Sequence, residues 1–293
     1  MEPFAFLSDG TPNAPRLQCG QSLWALERLP MNAALGWTLD EKIEQMKAAG
    51  FEHLECWIQN DEAGRETAKK VRDSGLQLVF CHRPMTVYDT MQGVESAAEF
   101  GAQFVMCQPA TAYHDLMEVA GIVQAGSEKA AELNLSYFVE THRNNFTETI
   151  RQTHELISAV PEIAITADFS HFVVVGEFYG WRSENALERM RPIIERVGHV
   201  HGRISNGEQV QVDVGDSQER GEGTPAGLFF DLWRECFAAW RKRANPGDVM
   251  PFTSELGPPR YAITTPDGQE ISDRWQQSLV LRDIAQDAWE ANA

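Results

Sequence analysis

The chain has 293 residues and carries 43 Asp and Glu against 25 Lys and Arg, which gives a formal net charge of −18. This acidity disfavours partners that require a broad basic surface, so we expect neither nucleic acid nor an anionic membrane as a partner. The five cysteines are widely spaced without a CxxC pair, which excludes a disulfide framework or a zinc ribbon and favours a reducing, cytoplasmic location. Residues 1–16 lack the pattern of a signal peptide, and no segment reaches the length of a transmembrane helix.

Eight short, β-rich apolar runs alternate with segments of helical pattern along the chain. Their starts lie roughly 25 to 35 residues apart until the last interval, which is the spacing of repeated βα units. The predicted strands are Ser22–Leu26, His53–Ile58, Leu78–His82, Phe104–Cys107, Ser136–Glu140, Ala164–Asp168, His199–Ile204 and Phe252–Glu255.

The clearest helical segments carry start and stop signals. Thr38 and Glu41 have the spacing of a capping box, in which each side chain satisfies a free amide of the first turn, and Gly50 supplies the stop. A second helix is predicted to begin at Ser183. The last predicted helix runs from residue 272 to about residue 290.

Eight alternating units in a chain of this length predict a (β/α)8 TIM barrel of the α/β class, built as a single domain. We assign residues 1–16 to an N-terminal arm and residues 17–293 to the barrel, which would be the catalytic domain. A doubly wound sheet is the competing architecture, but no GxGxxG motif follows the first predicted strand. The polar loop 206–225 is expected at the carboxyl-terminal face, where barrels place substrate loops.

Polar side chains end four successive predicted strands, namely Glu140, Asp168, His201 and Glu255. Because barrel active sites form at the carboxyl ends of the strands, we expect these three carboxylates and one imidazole to converge. Such a set would bind one divalent ion, Mn²⁺ first and otherwise Mg²⁺, Co²⁺ or Zn²⁺, since the nitrogen donor favours a transition metal over calcium. Two alternatives remain at this point: Asp168 could cap the following segment, and His199 competes with His201 on the same strand face.

This pattern resembles the xylose-isomerase-like barrels of sugar isomerases and epimerases, over most of the chain from about residue 22 to residue 289. In that family a Glu ends the fifth strand, an Asp stands in a DxxH motif on the sixth, and a His and a Glu follow on the seventh and eighth. The matching positions, in order, are Glu140, Asp168-Phe-Ser-His171, Val200-His201 and Ser254-Glu255. The resemblance implies a metal held by the Glu, Asp, His and Glu of these motifs.

The resemblance also implies acid–base chemistry beside a carbonyl group. A metal ion that grips a hydroxyl and carbonyl pair polarises the C=O and stabilises the enediolate formed by proton loss. A nearby carboxylate or imidazole removes and returns the proton. In the ketose epimerases of this family the two metal-bound glutamates lie on opposite faces of the substrate, which makes Glu140 and Glu255 the candidate bases.

The sequence departs from the epimerase pattern after Glu140. The epimerases continue with a proline and with a second glutamate six residues on, whereas this chain reads Glu140-Thr-His-Arg-Asn-Asn-Phe146. The departure argues against simple sugar epimerisation and adds His142 as a candidate second base or substrate clamp. The superfamily also includes dehydratases and lyases, some of them acting on oxidised glycosides, whose reactions start from the same proton abstraction.

Further polar and aromatic residues near strand ends are candidate substrate contacts. His171 is a candidate for the catalytic set, and the candidates for substrate binding are Arg203, Arg143, His82, Trp24 and Trp57. Each has a structural alternative, because aromatic rings pack in cores more often than on ligands and Arg203 could pair with an acidic ligand. Glu55, on the second predicted strand, could face inward.

The primary hypothesis is a divalent-metal-dependent isomerase or epimerase that acts on a small sugar or keto-sugar. The alternative is a metal-dependent lyase or dehydratase that eliminates a group β to the carbonyl of a keto-sugar or oxidised glycoside, including C-glycoside-type deglycosylation. A remote third hypothesis is an abasic-site endonuclease-like or non-catalytic barrel, which the acidic balance disfavours. The resemblance further implies a homo-oligomer, or association with a partner subunit.

Overall fold

The computed structural model describes residues 6–178, 181–215, 221 and 223–292. Within these residues, eight parallel strands close into a barrel, because the last strand pairs with both the seventh and the first. The strands are β1 (Arg16–Ser22), β2 (His53–Cys56), β3 (Gln77–His82), β4 (Phe104–Cys107), β5 (Ser136–Glu140), β6 (Ala164–Ala167), β7 (Val197–Gly202) and β8 (Asp248–Ser254). This arrangement confirms the predicted single-domain (β/α)8 fold.

Helices follow the strands and cover the outside of the barrel. They are α1 (Leu39–Ala48), α2 (Glu62–Asp73), α3 (Val87–Glu99), α4 (Leu116–Glu132), α5 (Ile150–Ala159), α6 (Phe169–Val175), α7 (Trp181–Ile194), α8 (Pro225–Arg241) and α9 (Arg274–Glu290), with a 3₁₀ turn at Phe146–Glu148. The predicted capping box is confirmed at the start of α1, where the Thr38 amide donates to the Glu41 carboxylate at 2.7 Å. None of the helices in the described part is long and apolar enough to cross a membrane.

Two predicted helix starts differ slightly from the observed ones. The helix predicted to begin at Ser183 begins at residue 181. The last helix begins two residues later than predicted, because Asp273 acts as its N-cap and accepts hydrogen bonds from the amides of Trp275 and Gln276. In the loop predicted at 206–225, residues 216–220 and 222 lie outside the described residues.

The prediction for the first strand is wrong, because β1 ends at Ser22, where the predicted strand begins. Residues 23–27 form a turn instead, in which the Leu26 amide donates to the Leu23 carbonyl. The observed strand is polar and contains Gly20, whose position leaves no room for a side chain: a Cβ there would lie 2.1 Å from the His53 ring. A search for apolar runs therefore misses β1, in which a glycine makes room for the neighbouring His53 ring inside the barrel.

A short strand within the predicted N-terminal arm adds to the sheet. Leu7–Ser8 pairs antiparallel with the first two residues of β8, and the Asp9 amide donates to the Gly247 carbonyl at 2.9 Å. Leu7 is buried against apolar residues at the amino-terminal end of the lumen. This part of the arm is therefore packed against the barrel.

Inward-facing side chains change character along the strands. A middle layer consists of His53 on β2, Phe138 on β5, His199 on β7 and Thr253 on β8, all of them buried. The upper layer lies two residues further along the same four segments. It consists of Glu55, Glu140, His201 and Glu255, which are also buried. Side chains two apart on a strand point to the same face, so the same lumen holds both layers.

Candidate metal centre

The four predicted metal ligands meet at the carboxyl-terminal end of the barrel. These are Glu140, Asp168, His201 and Glu255, which we call the ligand group. All four are buried, and each offers a ligand atom within 4.8 Å of those of the other three. His201 Nδ1 lies 3.0 Å from Glu140 Oε1 and 3.2 Å from Glu255 Oε2. The convergence follows from the topology, since β5, β6, β7 and β8 are consecutive neighbours whose carboxyl ends share one rim.

A fifth side chain, Glu55, holds the opposite edge of the His201 ring. His201 Nε2 donates to Glu55 Oε2 at 2.8 Å. Metal-binding histidines commonly use their second nitrogen in this way, and the carboxylate fixes the orientation of the ring. Burial disfavours the charged ring, but the carboxylates of Glu55, Glu255 and Glu140 outweigh it and raise the pKa of His201 well above its usual value.

His199, the alternative to His201, lies in the middle layer and packs among hydroxyls. Its Nε2 lies 2.8 Å from the Thr253 hydroxyl and its Nδ1 lies 3.1 Å from the Thr166 hydroxyl. The same Thr253 hydroxyl lies 2.8 Å from His53 Nε2. Burial lowers the pKa of His199 well below its usual value, so the ring is neutral. With both nitrogens engaged by hydroxyls, His199 is placed as a packed histidine of the barrel interior.

Asp168 combines the two roles that the sequence left open. Its Oδ1 accepts a hydrogen bond from the Ser170 amide at 3.1 Å and caps α6. Its Oδ2 accepts from Arg203 Nε, also at 3.1 Å, on the side that faces the ligand group. One carboxylate oxygen therefore fixes the side chain, and the other belongs to the site.

Arg203 pairs with two of the candidate ligands, which is the structural alternative noted from the sequence. It is buried and donates to both Asp168 and Glu255. Burial would raise the pKa of Glu255, but the charges of His201 and Arg203 outweigh burial and lower it to about 2. Glu255 is therefore an ionised, fixed carboxylate at neutral pH.

The charge and chemistry of this group fit a divalent metal ion. Four buried carboxylates belong to this group, and among the described residues Arg203 is the permanent cation that pairs with it, through Asp168 and Glu255. The carboxylates are those of Glu55, Glu140, Asp168 and Glu255. A neutral His201 that serves as a ligand adds no charge, so a divalent cation would offset two of the remaining negative charges. Three carboxylates and one imidazole form a donor set that suits Mn²⁺, Mg²⁺, Co²⁺ or Zn²⁺.

An open cavity of about 580 Å³ reaches this group, and we call it the inner cavity. Glu255 is the member of the ligand group that lines the inner cavity, and Arg203 lines it as well. Its walls also contain His142, Trp24 and Trp57, three of the residues predicted as catalytic or substrate contacts. The inner cavity lies in the size range of roughly 300–1,000 Å³ that is typical of small-molecule sites.

Two histidines and a tyrosine form a second polar group beside the ligands. The rings of His142 and His171 lie 4.0 Å apart, and His142 Nε2 lies 3.3 Å from the Tyr261 hydroxyl. His171 is fully buried with Nε2 3.5 Å from Asp168 Oδ2, and among the described residues neither ring nitrogen has a hydrogen-bond partner. Burial raises the pKa of Tyr261, which keeps the phenol protonated at neutral pH.

Sequence reasoning missed Tyr261 and Gln108, which both line the inner cavity. Gln108 Nε2 donates to Glu140 Oε2 at 2.5 Å, and its Oε1 accepts from Arg83 Nε at 2.9 Å. Gln108 directly follows β4, so its position at a strand end was a usable signal. Tyr261 lies in the loop between β8 and α9, where no periodic pattern indicates orientation.

Two remaining predicted substrate residues lie at the margins of this site. The Arg143 guanidinium stacks over the Tyr261 ring at 4.8 Å. His82 Nε2 lies 3.3 Å from the Tyr137 hydroxyl, and His82 lines a neighbouring cavity rather than the inner one. The ligand group, His142, Trp24, Trp57 and Arg203 are thus brought together, whereas His82 is set apart.

No protein-family model and no curated protein sequence matches the chain. Solved structures match it over nearly its whole length. An L-ribulose 3-epimerase structure matches with a TM-score of 0.61 at 15% identity, covering 94% of this chain and 95% of the other. A xylose isomerase-like TIM barrel protein from Mycobacterium smegmatis, in complex with magnesium, matches with a TM-score of 0.57 at 12% identity, covering 99% and 100%.

The fold is that of a xylose-isomerase-like TIM barrel. A third structure, described as the probable 3-DHS dehydratase AsbF of petrobactin synthesis from Bacillus anthracis, matches with a TM-score of 0.53 at 15% identity, covering 91% of this chain and 98% of the other. At such identities the likeness shows the fold. The matching structures thus include one described as an epimerase and one described as a probable dehydratase, so the reaction must be argued from the site.

Proposed function

We propose that the protein is a divalent-metal-dependent enzyme that moves a proton next to the carbonyl of a small sugar or keto-sugar, as an isomerase or epimerase. The observation that carries the proposal is the buried group of three carboxylates and one imidazole at the inner cavity. Glu140, Asp168, His201 and Glu255 would hold the ion. When bound, the ion supplies Lewis-acid polarisation of carbonyl and hydroxyl oxygens.

Glu255 is the side chain that we assign as the first base. It lines the inner cavity, whereas Glu140 is fully buried, is not among the residues that line the cavity, and has one oxygen held by Gln108. Arg203 fixes the Glu255 carboxylate and, because it also lines the cavity, can donate to a substrate oxygen. Trp24 and Trp57 offer apolar faces against which a sugar ring can pack.

His142 is the side chain that we assign as the second acid–base group. It lines the same cavity as Glu255, and its Nδ1 lies 2.6 Å from the Arg143 carbonyl, which holds the ring in place. A proton removed by one of these groups can be returned by the other, and return to the opposite face of the carbon would invert that centre. The magnesium complex and the epimerase among the matching structures support this class of chemistry.

The pair of His142 and Tyr261 favours a lyase or dehydratase as the second candidate. A protonated phenol 3.3 Å from the imidazole provides a donor that can protonate a leaving group β to the carbonyl. The matching structure described as a probable dehydratase supports this alternative. Both candidates share the first step, in which a proton leaves the carbon next to the carbonyl.

Deuterium exchange tests the proposal. The purified protein, loaded with Mn²⁺, is incubated in D₂O with a panel of ketoses, keto-sugars and oxidised glycosides, and products are read by NMR. We expect deuterium next to the carbonyl together with recovered sugar isomers, and a rate at least about a hundredfold lower in Glu255→Gln, as is typical for loss of a general base. Glu208→Gln, an exposed carboxylate change, serves as the matched control.

The outcomes separate the candidates. Exchange accompanied by release of water or an aglycone, without sugar isomers, would assign the lyase. A protein that binds no divalent metal, or whose exchange activity is unchanged by chelation, contradicts both candidates.

A further inference from the structure

A second cavity, of about 900 Å³, adjoins the inner one, and we call it the outer cavity. It lies beyond the carboxyl ends of β2 and β3, between α2 and α3. Trp57 and Arg83 line both cavities, so the two meet at these side chains. Since the inner cavity already has the volume of a small-molecule site, one sugar ring placed at the ligand group leaves the outer cavity unused.

The outer cavity is polar and electrically balanced. Two cations and two anions line it, and Arg65 lies 3.9 Å from the Glu99 carboxylate; the other two charges are Arg83 and Asp89. Burial lowers the pKa of His82 to about 4, so this ring adds no charge at neutral pH. Because the charges balance, the cavity offers a phosphate or carboxylate ligand no net attraction and places two carboxylates beside it, whereas a neutral ligand is not repelled.

Its polar groups are held in place by contacts with one another. Asn60 Nδ2 donates to Ser96 Oγ at 3.2 Å and to Glu99 Oε2 at 3.1 Å, and Asn60 Oδ1 accepts from Arg65 at 2.7 Å. The walls thus present both donors and acceptors, and the Trp57 ring is one of their apolar elements, beside Ile58, Phe80 and Pro84. Sugar hydroxyls act as donors and acceptors at once, and the C–H face of a sugar ring packs on aromatic rings.

We infer that the outer cavity is a subsite for a second, neutral sugar unit, so that the substrate is a glycosyl-ketose or a similar two-ring saccharide. The inference rests on the proposed function, because it places the carbonyl-bearing unit over the ligand group. The two units would meet at Arg83, whose guanidinium lies 5.4 Å over the Trp57 ring and donates to Gln108. Gln108 in turn holds Glu140, so the junction lies one side chain away from the ligand group.

Calorimetric binding to the Mn²⁺-loaded protein tests the subsite. The probes are D-fructose and four glucosyl- or galactosyl-fructoses, namely turanose, maltulose, lactulose and palatinose. We expect at least one disaccharide to bind about tenfold or more tightly than fructose, as one or two added hydrogen bonds allow. Gln92→Trp, which fills the outer cavity from the exposed face of α3, should remove this advantage and change fructose binding by less than about twofold.

The matched control is Met91→Trp, the neighbouring position on α3, which does not line the cavity. It should leave the affinities for fructose and for the disaccharide unchanged. The inference of a subsite is wrong if no disaccharide binds more tightly than fructose. It is also wrong if Gln92→Trp weakens the binding of fructose and of the disaccharide equally.

Deuterium exchange with the same sugars separates the two proposals. Exchange into fructose without preferential disaccharide binding contradicts the subsite and leaves the proposed function standing. Preferential disaccharide binding without exchange contradicts the proposed function and leaves the subsite standing. A protein that binds none of the five sugars contradicts the subsite.

Discussion

The middle and upper layers of the barrel lumen use the same residue type for different purposes. His199 and His201 stand two residues apart on β7, and both are fully buried. His199 meets the hydroxyls of Thr166 and Thr253, and burial lowers its pKa. His201 meets three carboxylates, and these raise its pKa despite burial. Since both rings are fully buried, their partners rather than their burial decide whether a histidine packs or can bind a cation.

The largest effect on metal affinity should appear when each of these histidines is replaced by alanine in a separate variant. His201→Ala removes a ligand and should weaken Mn²⁺ binding by at least about a hundredfold, beyond the usual effect of an outer-shell partner. His199→Ala should leave metal affinity within about threefold and instead lower the free energy of unfolding by roughly 1–3 kcal/mol, because Thr253 and Thr166 lose a partner. Metal titration and chemical denaturation of both variants measure this contrast. Equal loss of metal affinity in the two variants would remove the distinction between the layers.

Glu55 offers a finer test of the upper layer, since it contacts His201 at Nε2, the nitrogen that points away from Glu140 and Glu255. Glu55→Gln should weaken metal binding by about 10–100-fold, because the ring loses the carboxylate that orients it. Metal content after dialysis against graded chelator concentrations gives the affinity. The conservative Glu55→Asp change should restore part of it. Unchanged affinity in Glu55→Gln would mean that His201 is oriented without its help.

Gly20 tests the middle layer without touching a candidate ligand. In Gly20→Ala the new Cβ would lie 2.1 Å from the His53 ring, and the overpacking should cost about 1–3 kcal/mol of stability. Metal affinity should change little. Gly121→Ala on α4 is the matched control, because its Cβ meets no atom within 4 Å and a helical alanine should stabilise by up to about 1 kcal/mol. Thermal unfolding of both variants decides whether the space at Gly20 is needed.

The smallest expected effect is a pH dependence from His53. Burial lowers the pKa of His53 from 6.5 to about 3, so between pH 6.5 and 5.5 the unfolded chain gains a proton there that the folded chain does not. The free energy of unfolding should therefore fall by about 1 kcal/mol over that window on account of His53 and stay level above it. His53→Asn should reduce this slope in denaturation series at graded pH. A slope that is unchanged in the variant would contradict the neutral, buried assignment.

The fold was predictable because its signals are local. Helix caps such as Thr38 and the βα spacing act through contacts a few residues apart, and strand ends place Glu140 and Asp168 on one rim once a barrel is assumed. The polar strand β1 was mispredicted because it lacks an apolar run, and at Gly20 the small residue is needed to leave room for the His53 ring. That requirement comes from a residue 33 positions away and leaves no apolar pattern in the strand itself.

The supporting residues of the site could be predicted only in part. Gln108 and Glu55 act through side chains 32 and 146 positions away along the chain, and neither stands in a motif. Arg203 was named both as a substrate contact and as a partner of an acidic ligand, and the contacts to Asp168 and Glu255 supply the second of these. Side-chain direction at a loop position such as Tyr261 depends on tertiary packing, which sequence periodicity does not encode.

The Thr253 hydroxyl, which lies 2.8 Å from the Nε2 atoms of both His53 and His199, carries a single hydrogen. It can donate to only one of the rings and must accept from the other, so the tautomers of the two histidines are linked. Within the part of the chain that the structure describes, Nδ1 of His53 has no hydrogen-bond partner, and this sets the direction, since a buried acceptor is less costly to leave unpaired than a donor. His53 Nε2–H therefore donates to Thr253, Thr253 donates to His199, and His199 Nδ1–H donates to Thr166, which makes the middle layer a one-way chain of hydrogen bonds across the barrel.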